Sequence, residues 1–502
     1  MIGRKSTLVF ATTIVSSILG FIGLFFITRY LGTEIYGDIT WILALIAAIN
    51  AVSDLGFSSA HIKKISEGGD IDDCVSTFVM VKVILTTIMV ALIAFLLLVM
   101  MVFGNANYTV EYLEIISLFV LYQVLCDLSL IATITFTART EAVKSQLILL
   151  IDPVIRVPII IIVCLFKGNE FEIAISYALA GIAVFSMALA LIWSGEYHWT
   201  KPTLFRPYLR FALPLIVSMV ITTLAYSIDK IFIRAFWGNT EVAYYSSGFA
   251  LILIISGVGL AISQLTFPTF SKYFSKGMME DIRRTTVQAE RFVAMISFPM
   301  VAFLLIYPGN LTSLLYGQEW FLAGDSLRWL ALATLLNIFN AAATSQILAV
   351  NRPDVSFRIT VIYFFAFVIG LFLLVPNEIF GIHLPGLSYV GASLAYLISM
   401  LVGFILTRIA VLKLTGTRIE RRMGLYAVVF AITTALLGIL SVGLAVQQWY
   451  VLIAMFGVSY VVFWGCLFAS GEMKKDDIRY MLDLVNVRKM GGYVSEELTG
   501  KK

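Results

Sequence analysis

KSTLVFATTIVSSILGFIGLFFIT, residues 5–28, is an apolar run bounded by Arg4 and Lys5 on one side and by a lone Arg29 on the other. A hydrocarbon core of about 30 Å takes roughly 20 helical residues, so this run is long enough to cross a bilayer. It is too long for a signal-peptide core and lacks a small-residue cleavage site, so it reads as a first membrane span. Similar runs recur along the chain, about fourteen in all. They cover approximately residues 5–28, 39–62, 76–103, 110–137, 146–166, 171–193, 208–233, 242–268, 290–308, 324–349, 356–376, 387–412, 424–446 and 449–470.

The gaps between the runs alternate in charge. The N-terminus, every second gap and the tail hold about 28 of the 35 Lys and Arg residues, including Lys63, Lys64, Arg139, Lys144, Lys201, Arg206, Arg210, Arg283, Arg352 and Arg422. Only Arg29, Lys167, Arg234 and Arg328 fall in the other gaps, and Lys82, Arg156 and Lys230 fall inside spans. Cytoplasmic loops keep positive charge, so both termini are expected in the cytoplasm of a multi-pass protein of the cell membrane. The composition agrees: 60% of residues are hydrophobic and 13% charged. The net charge of +4 follows the loops, which points to topology and anionic lipid rather than to nucleic acid.

Little else in the sequence suggests chemistry. Cys126, Cys164 and Cys466 sit in expected spans and Cys74 in an expected loop, with no metal or disulfide spacing. His61, His198 and His383 are scattered, and no hydrolase elbow, Walker loop or zinc motif appears, so no enzyme, metal or cofactor is expected. The gap from Ser271 to Gln288 carries Met278, Met279, Ile282 and Thr286 near helical spacing and reads as a short surface helix feeding span nine or a solvated loop. In the tail, Ile478, Met481, Leu482 and Val485 share a helical face that suits an interfacial anchor. Two sequons, Asn107-Tyr108-Thr109 and Asn310-Leu311-Thr312, fall in expected outer loops.

The first span has an echo. Phe26-Ile27-Thr28-Arg29-Tyr30-Leu31-Gly32-Thr33-Glu34-Ile35-Tyr36 parallels Phe232-Ile233-Arg234-Ala235-Phe236-Trp237-Gly238-Asn239-Thr240-Glu241-Val242 at the end of span seven. Ala138-Arg139-Thr140-Glu141-Ala142-Val143-Lys144 after span four parallels Asn351-Arg352-Pro353-Asp354-Val355 after span ten. Both pairs are displaced by six spans, which implies a duplicated unit inserted twice in one orientation. The expected organisation is an N-lobe at 1–200, a C-lobe at 201–415, spans thirteen and fourteen at 416–470 and a tail at 471–502. The fold class is an all-α polytopic membrane protein with two pseudo-symmetric six-helix lobes plus two C-terminal helices.

Family marks run in order through this frame. The stretch from Gly20 through Arg29-Tyr30-Leu31-Gly32 to Tyr36-Gly37 resembles the first-loop signature of polysaccharide and lipid-linked oligosaccharide flippases. Asp54-Leu55-Gly56-Phe57, Ile228-Asp229-Lys230, Phe267-Pro268 and Leu314-Leu315-Tyr316-Gly317, followed by Ala323, Leu327 and Arg328-Trp329-Leu330, are similar to further marks. The chain thus resembles the polysaccharide branch of the multidrug, oligosaccharidyl-lipid and polysaccharide exporter superfamily as far as about Lys413. The resemblance implies a MATE-like, V-shaped pair of lobes, a lipid-linked sugar cargo, and a lateral groove for its tail at spans thirteen and fourteen. Ile18 and Gly23 stand where the lipid II branch carries extra arginines, and fourteen spans exceed the usual twelve of multidrug antiporters.

A polyprenyl diphosphate sugar needs its negative charge compensated during crossing, so cations within spans are the cargo candidates. Arg156, between Pro153 and Pro158, either faces a cavity or pairs internally with Asp152 one turn away. Lys82 either meets cargo or snorkels to the interface. Arg29 and Arg234 form a basic exit or reach headgroups, and Lys230 completes the cationic set. Asp229 suits an ion site, a gate pair with Arg29 or a structural link, and the adjacent Asp229 and Lys230 are expected to take different partners. Asp54, Asp127 and Asp152 are candidates for coupling to Na⁺ or H⁺. Tyr226, Phe249, Trp329 and Tyr396 either stack on sugars or pack.

The function expected is a flippase that moves a polyprenyl-phosphate-linked oligosaccharide outward by alternating access, with membrane lipids and glycan-assembly membrane proteins as partners. A cation-coupled multidrug exporter is the first alternative. A membrane glycan polymerase or ligase is the second, and the short outer gaps speak against it.

Overall fold

A computed structural model describes residues 2–103, 110–193, 197–443 and 448–473. The helices are α1 (Ile2–Tyr30), α2 (Gly32–Asn50), α3 (Phe57–Ser66), α4 (Ile71–Phe103), α5 (Val110–Ala138), α6 (Ala142–Leu165), α7 (Glu170–Trp193), α8 (Phe205–Ala225) and α9 (Ile228–Phe236). They continue with α10 (Asn239–Ser275), α11 (Met279–Ile306), α12 (Pro308–Tyr316), α13 (Ala323–Ala349), α14 (Pro353–Leu374), α15 (Ser388–Thr415), α16 (Met423–Gly443) and α17 (Trp449–Ala469). A small hairpin, β1 (Glu378–Ile379) against β2 (Ile382–His383), decorates the loop between α14 and α15. Fourteen helical segments among the described residues are long and apolar enough to cross a membrane. Helices suit that solvent because each satisfies its own backbone groups.

Two spans differ from the unbroken runs expected. Span two stops at Asn50, passes through a 3₁₀ turn at Ala51–Ser53 and restarts as α3. Leu55 (φ 44°) and Gly56 (φ 85°) make the turn in left-handed conformations, and the Asp54 carboxylate accepts the Ser58 N–H at 3.3 Å. Span seven breaks after Ala225 and resumes as α9 at Ile228.

The helix expected to feed span nine is present, since α11 begins at Met279 and continues into that span, but it is not confined to the surface: Ile282 and Thr286 are fully buried. Cys74 lies in the first turn of α4 and is buried, not in a loop. Asn310 to Thr312 belong to α12 rather than to an open loop, and Thr312 is buried. The Asn107 sequon and the tail helix lie outside the described residues.

Contacts divide the chain into two compact units that meet in sequence at Ile231 and Phe232. In the first, α5 packs on α3, α4, α6 and α7, and α6 packs on α7. In the second, α13 packs on α10, α11, α14 and α15, and α14 packs on α15. Each helix of the second set is the six-span counterpart of one in the first, so the duplication read from two short echoes is also a repeat of helix neighbours. The repeat is incomplete at its start: α1 packs on α6, whereas α8 packs on α2 and α3 and belongs to the first unit. The appended α16 and α17 pack on α11 and on each other around Tyr426, Phe463 and Leu467.

Candidate functional site

Charged side chains pair within the units at several places. The first lies at the break in span two. Lys82 of α4 is fully buried and sends its ammonium to Asp54 Oδ1 at 3.2 Å and to the Ser53 carbonyl at 3.2 Å. Ending α2 early frees that carbonyl, and the ammonium satisfies it. Asp127 on α5, also buried, accepts from Asn50 Nδ2 at 3.5 Å and Gln123 Nε2 at 3.4 Å through Oδ1. Three residues that the sequence offered separately, Asp54, Lys82 and Asp127, therefore occupy one polar region at the span-two break. Lys82 does not snorkel, because its partners hold it inward.

The second group is built on α6. Asp152 and Arg156 lie one turn apart on one face, with Arg156 Nη2 2.7 Å from Asp152 Oδ2 and Nε 3.2 Å from Oδ1. Tyr122 of α5 donates to Asp152 Oδ1 at 3.1 Å, and the guanidinium lies 4.6 Å from the ring centre of Tyr177 on α7. A Cβ on Gly181 would stand 3.2 Å from Tyr122 Cα, so this glycine lets α5 and α7 approach beside the cluster. The internal pairing with Asp152 is thus made, and the Arg156 side chain keeps 20% of its surface exposed.

The third group escaped the sequence reading. Glu290 on α11 is bonded to Arg408 Nη1 on α15, and Arg408 Nη2 donates to the Phe339 carbonyl of α13 at 3.1 Å. Both side chains are buried or nearly so. Each sits at the end of an apolar run among other charges, so neither stood out as intramembrane. Nearby, Arg291 donates to Tyr426 Oη and to the Glu472 carbonyl, which ties α16 and the end of α17 to α11.

Other candidates separate. Asp229 and Lys230 do not take different partners: Lys230 Nζ meets Asp229 Oδ1 at 3.2 Å and the Tyr226 carbonyl at 2.8 Å. They stand in the first turn after the span-seven break, where the aspartate turns back onto the Lys230 N–H and the long lysine reaches back to the freed carbonyl. The ion pair that Asp229 makes is therefore the one with Lys230. Arg29 is exposed at the end of α1, and Arg234 lies in the last turn of α9.

Phe249 and Tyr396 pack edge to face at 5.9 Å, while Tyr226 is exposed. His61 bonds Tyr208 and Thr135, both at 2.9 Å, as a structural clasp. His198 and His383 are exposed beside Asp72 and Glu378. No group of metal-binding side chains occurs among the described residues. An apolar cavity of about 640 Å³ opens between α4, α5 and α7, lined in part by Val79, Leu128, Phe185, Trp193 and Trp199.

This architecture, with fourteen spans, a duplicated unit and charges paired within it, is that of a polytopic membrane protein of the MATE-like class. The family model of polysaccharide biosynthesis proteins matches residues 2–274, and that of MatE matches residues 214–375. The first covers more than half of the chain, which therefore belongs to the polysaccharide biosynthesis protein family, the polysaccharide branch of the superfamily.

Among curated proteins, the chain is 25% identical to the teichuronic acid biosynthesis protein TuaB of Bacillus subtilis (strain 168), over 28% of this chain and 29% of that one. It is 23% identical to the lipopolysaccharide biosynthesis protein WzxC of Escherichia coli (strain K12), over 41% and 40%. In both cases less than half of the relative is spanned. The probable low-salt glycan biosynthesis flippase Agl15 of Haloferax volcanii is 22% identical over 81% of this chain and 82% of its own. Among solved structures, the lipid II flippase MurJ in an inward closed conformation superposes with a TM-score of 0.75 at 13% identity, over 92% of this chain and 98% of that one. An inward-facing MATE family transporter gives 0.62 at 16% identity, over 80% and 96%. These two likenesses establish the fold.

Proposed function

We propose that this protein is a flippase that carries a polyprenyl-phosphate-linked oligosaccharide from the cytoplasmic to the outer leaflet of the cell membrane by alternating access. The observation that carries the reading is the family match over residues 2–274, because that segment holds both Lys82 and Arg156. Arg156 is the diphosphate contact: its guanidinium is fixed by Asp152 and Tyr177, so little side-chain entropy is lost when it meets an anion. Lys82 acts by shaping the break in span two. Asp127, with one carboxylate oxygen hydrogen-bonded by two amides, is the group for coupling to Na⁺ or H⁺.

Both termini lie in the cytoplasm on this reading, and glycan-assembly membrane proteins supply the cargo. The name of Agl15, a probable flippase, supports a transporter over a glycan polymerase or ligase. The match to MatE over residues 214–375 supports a second reading, cation-coupled export of amphipathic drugs. Purified protein in proteoliposomes separates the two. Protein-dependent exposure of a labelled polyprenyl-diphosphate oligosaccharide on the opposite leaflet, abolished by Arg156→Ala in equally inserted protein, is the result expected. Failure with several glycans, together with ion-driven efflux of a cationic dye, would establish the drug exporter instead.

A further inference from the structure

The first unit contains a second cationic feature, away from the buried pairs. Lys63 and Lys64 on the last turns of α3, with Arg206 and Arg210 one turn apart on α8, line a cavity of about 520 Å³ whose floor is Ala60 and Phe211. His61 fixes its walls: one ring nitrogen engages Tyr208 of α8 and the other Thr135 of α5, so the two basic helix faces are held in register from behind. Lys63 also stands 4.4 Å from the ring centre of Phe211.

The nearby carboxylates are mostly engaged elsewhere. Asp73 receives Thr203 through both its N–H, at 2.9 Å, and its hydroxyl, and Asp72 receives the His198 N–H at 3.1 Å. Among the described residues, Glu67 alone answers the cavity, pairing with Lys64 at 2.8 Å and Lys63 at 3.7 Å. The cavity wall therefore carries four cations and no carboxylate. Its residues lie on the side that the positive-charge bias assigns to the cytoplasm.

We propose that this α3–α8 pocket docks the diphosphate of a lipid-linked glycan at the cytoplasmic face before translocation, an inference that rests on the flippase reading above. A phospholipid headgroup offers one phosphodiester charge, whereas a diphosphate offers two adjacent anionic groups. Two cations on each of two helices match the second. Arg206 and Arg210 present planar forks suited to phosphate oxygens, and the lysines add compact point charges. Glu67 is a built-in competitor that the diphosphate displaces.

The test is binding rather than transport, so its failure is distinct from failure of the flippase reading. Full-length protein in phosphatidylcholine nanodiscs is titrated with fluorescently labelled farnesyl diphosphate. The double variants Arg206→Gln with Arg210→Gln, and Lys63→Gln with Lys64→Gln, are each expected to raise Kd by about tenfold or more. Glu67→Gln is expected to lower Kd, an effect that damage to the fold does not produce. Inorganic pyrophosphate should displace the probe, while phosphatidylglycerol added to the nanodiscs should not. Unchanged Kd in both double variants would overturn the site. Displacement by phosphatidylglycerol as effective as by pyrophosphate would overturn the diphosphate assignment in favour of a phospholipid.

Discussion

Lys82 Nζ stands 3.2 Å from Asp54 Oδ1, and the lysine side chain has no contact with solvent. The pair fastens α4 to the turn that interrupts span two. Removing one member of a buried pair leaves the other uncompensated, at about 3–5 kcal/mol when both are fully enclosed. Asp54 keeps 26% of its side chain exposed, so Lys82→Met should cost about 2–3 kcal/mol. Adding Asp54→Leu should recover part of that loss. Thermal unfolding in detergent, followed by tryptophan fluorescence, checks the order of the three Tm values; a single variant as stable as wild type would dismiss the clasp.

Arg156 offers a contrast between stability and activity. Lysine in its place keeps the charge but loses the fork that meets both oxygens of Asp152 and the plane that lies over Tyr177. Arg156→Lys is expected to shift Tm little and to lower glycan-lipid exposure in proteoliposomes by about tenfold or more. Equal losses in Tm and in exposure would mark the arginine as structural only.

Gly56 tests the break itself. Its φ of 85° disfavours any side chain, and an added Cβ would sit 3.1 Å from Leu215 Cβ on α8. Gly56→Ala should cost about 1–3 kcal/mol through strain and through pushing α8 from α3. Hydrogen exchange should rise locally in α3 and the middle of α8, around Ala212 and Leu215, and unaltered protection there would contradict this account.

The spans were legible because lipid imposes one rule on every one of them: about 20 apolar residues, whatever they pack against. The duplicated unit was legible from the two loop echoes because insertion direction preserves loop chemistry across copies. The interruptions were not. Asp54-Leu55-Gly56 reads as three residues inside an apolar run, and only the pairing with Lys82 from another helix shows what the break exposes. The α6 pair was visible because four-residue spacing alone brings Asp152 to Arg156. Asp229 and Lys230 misled for the converse reason: ideal helix geometry separates neighbours, but the first turn after a break leaves the chain free to fold both side chains together.

Glu290 and Arg408 show what sequence periodicity misses and supply the sharpest stability test. The two lie 118 residues apart, one near the middle of α11 and one in the second half of α15, and the arginine also holds a carbonyl of α13. Three helices of the second unit are therefore joined through one guanidinium, whose 12% exposure and 3% for the glutamate leave water little access. Arg408→Met abandons a buried carboxylate and should cost about 3–5 kcal/mol. Glu290→Gln keeps a hydrogen-bond acceptor for Arg408 and should cost less. Glu290→Leu with Arg408→Met removes both charges and should stand above the Arg408→Met single variant in Tm, since apolar replacement of a whole buried pair is often tolerated. Because the pair lies in the second unit and Arg156 in the first, the double variant should retain glycan-lipid exposure whenever it remains folded. Loss of exposure at an unchanged Tm would instead assign the Glu290–Arg408 pair a part in the transport cycle.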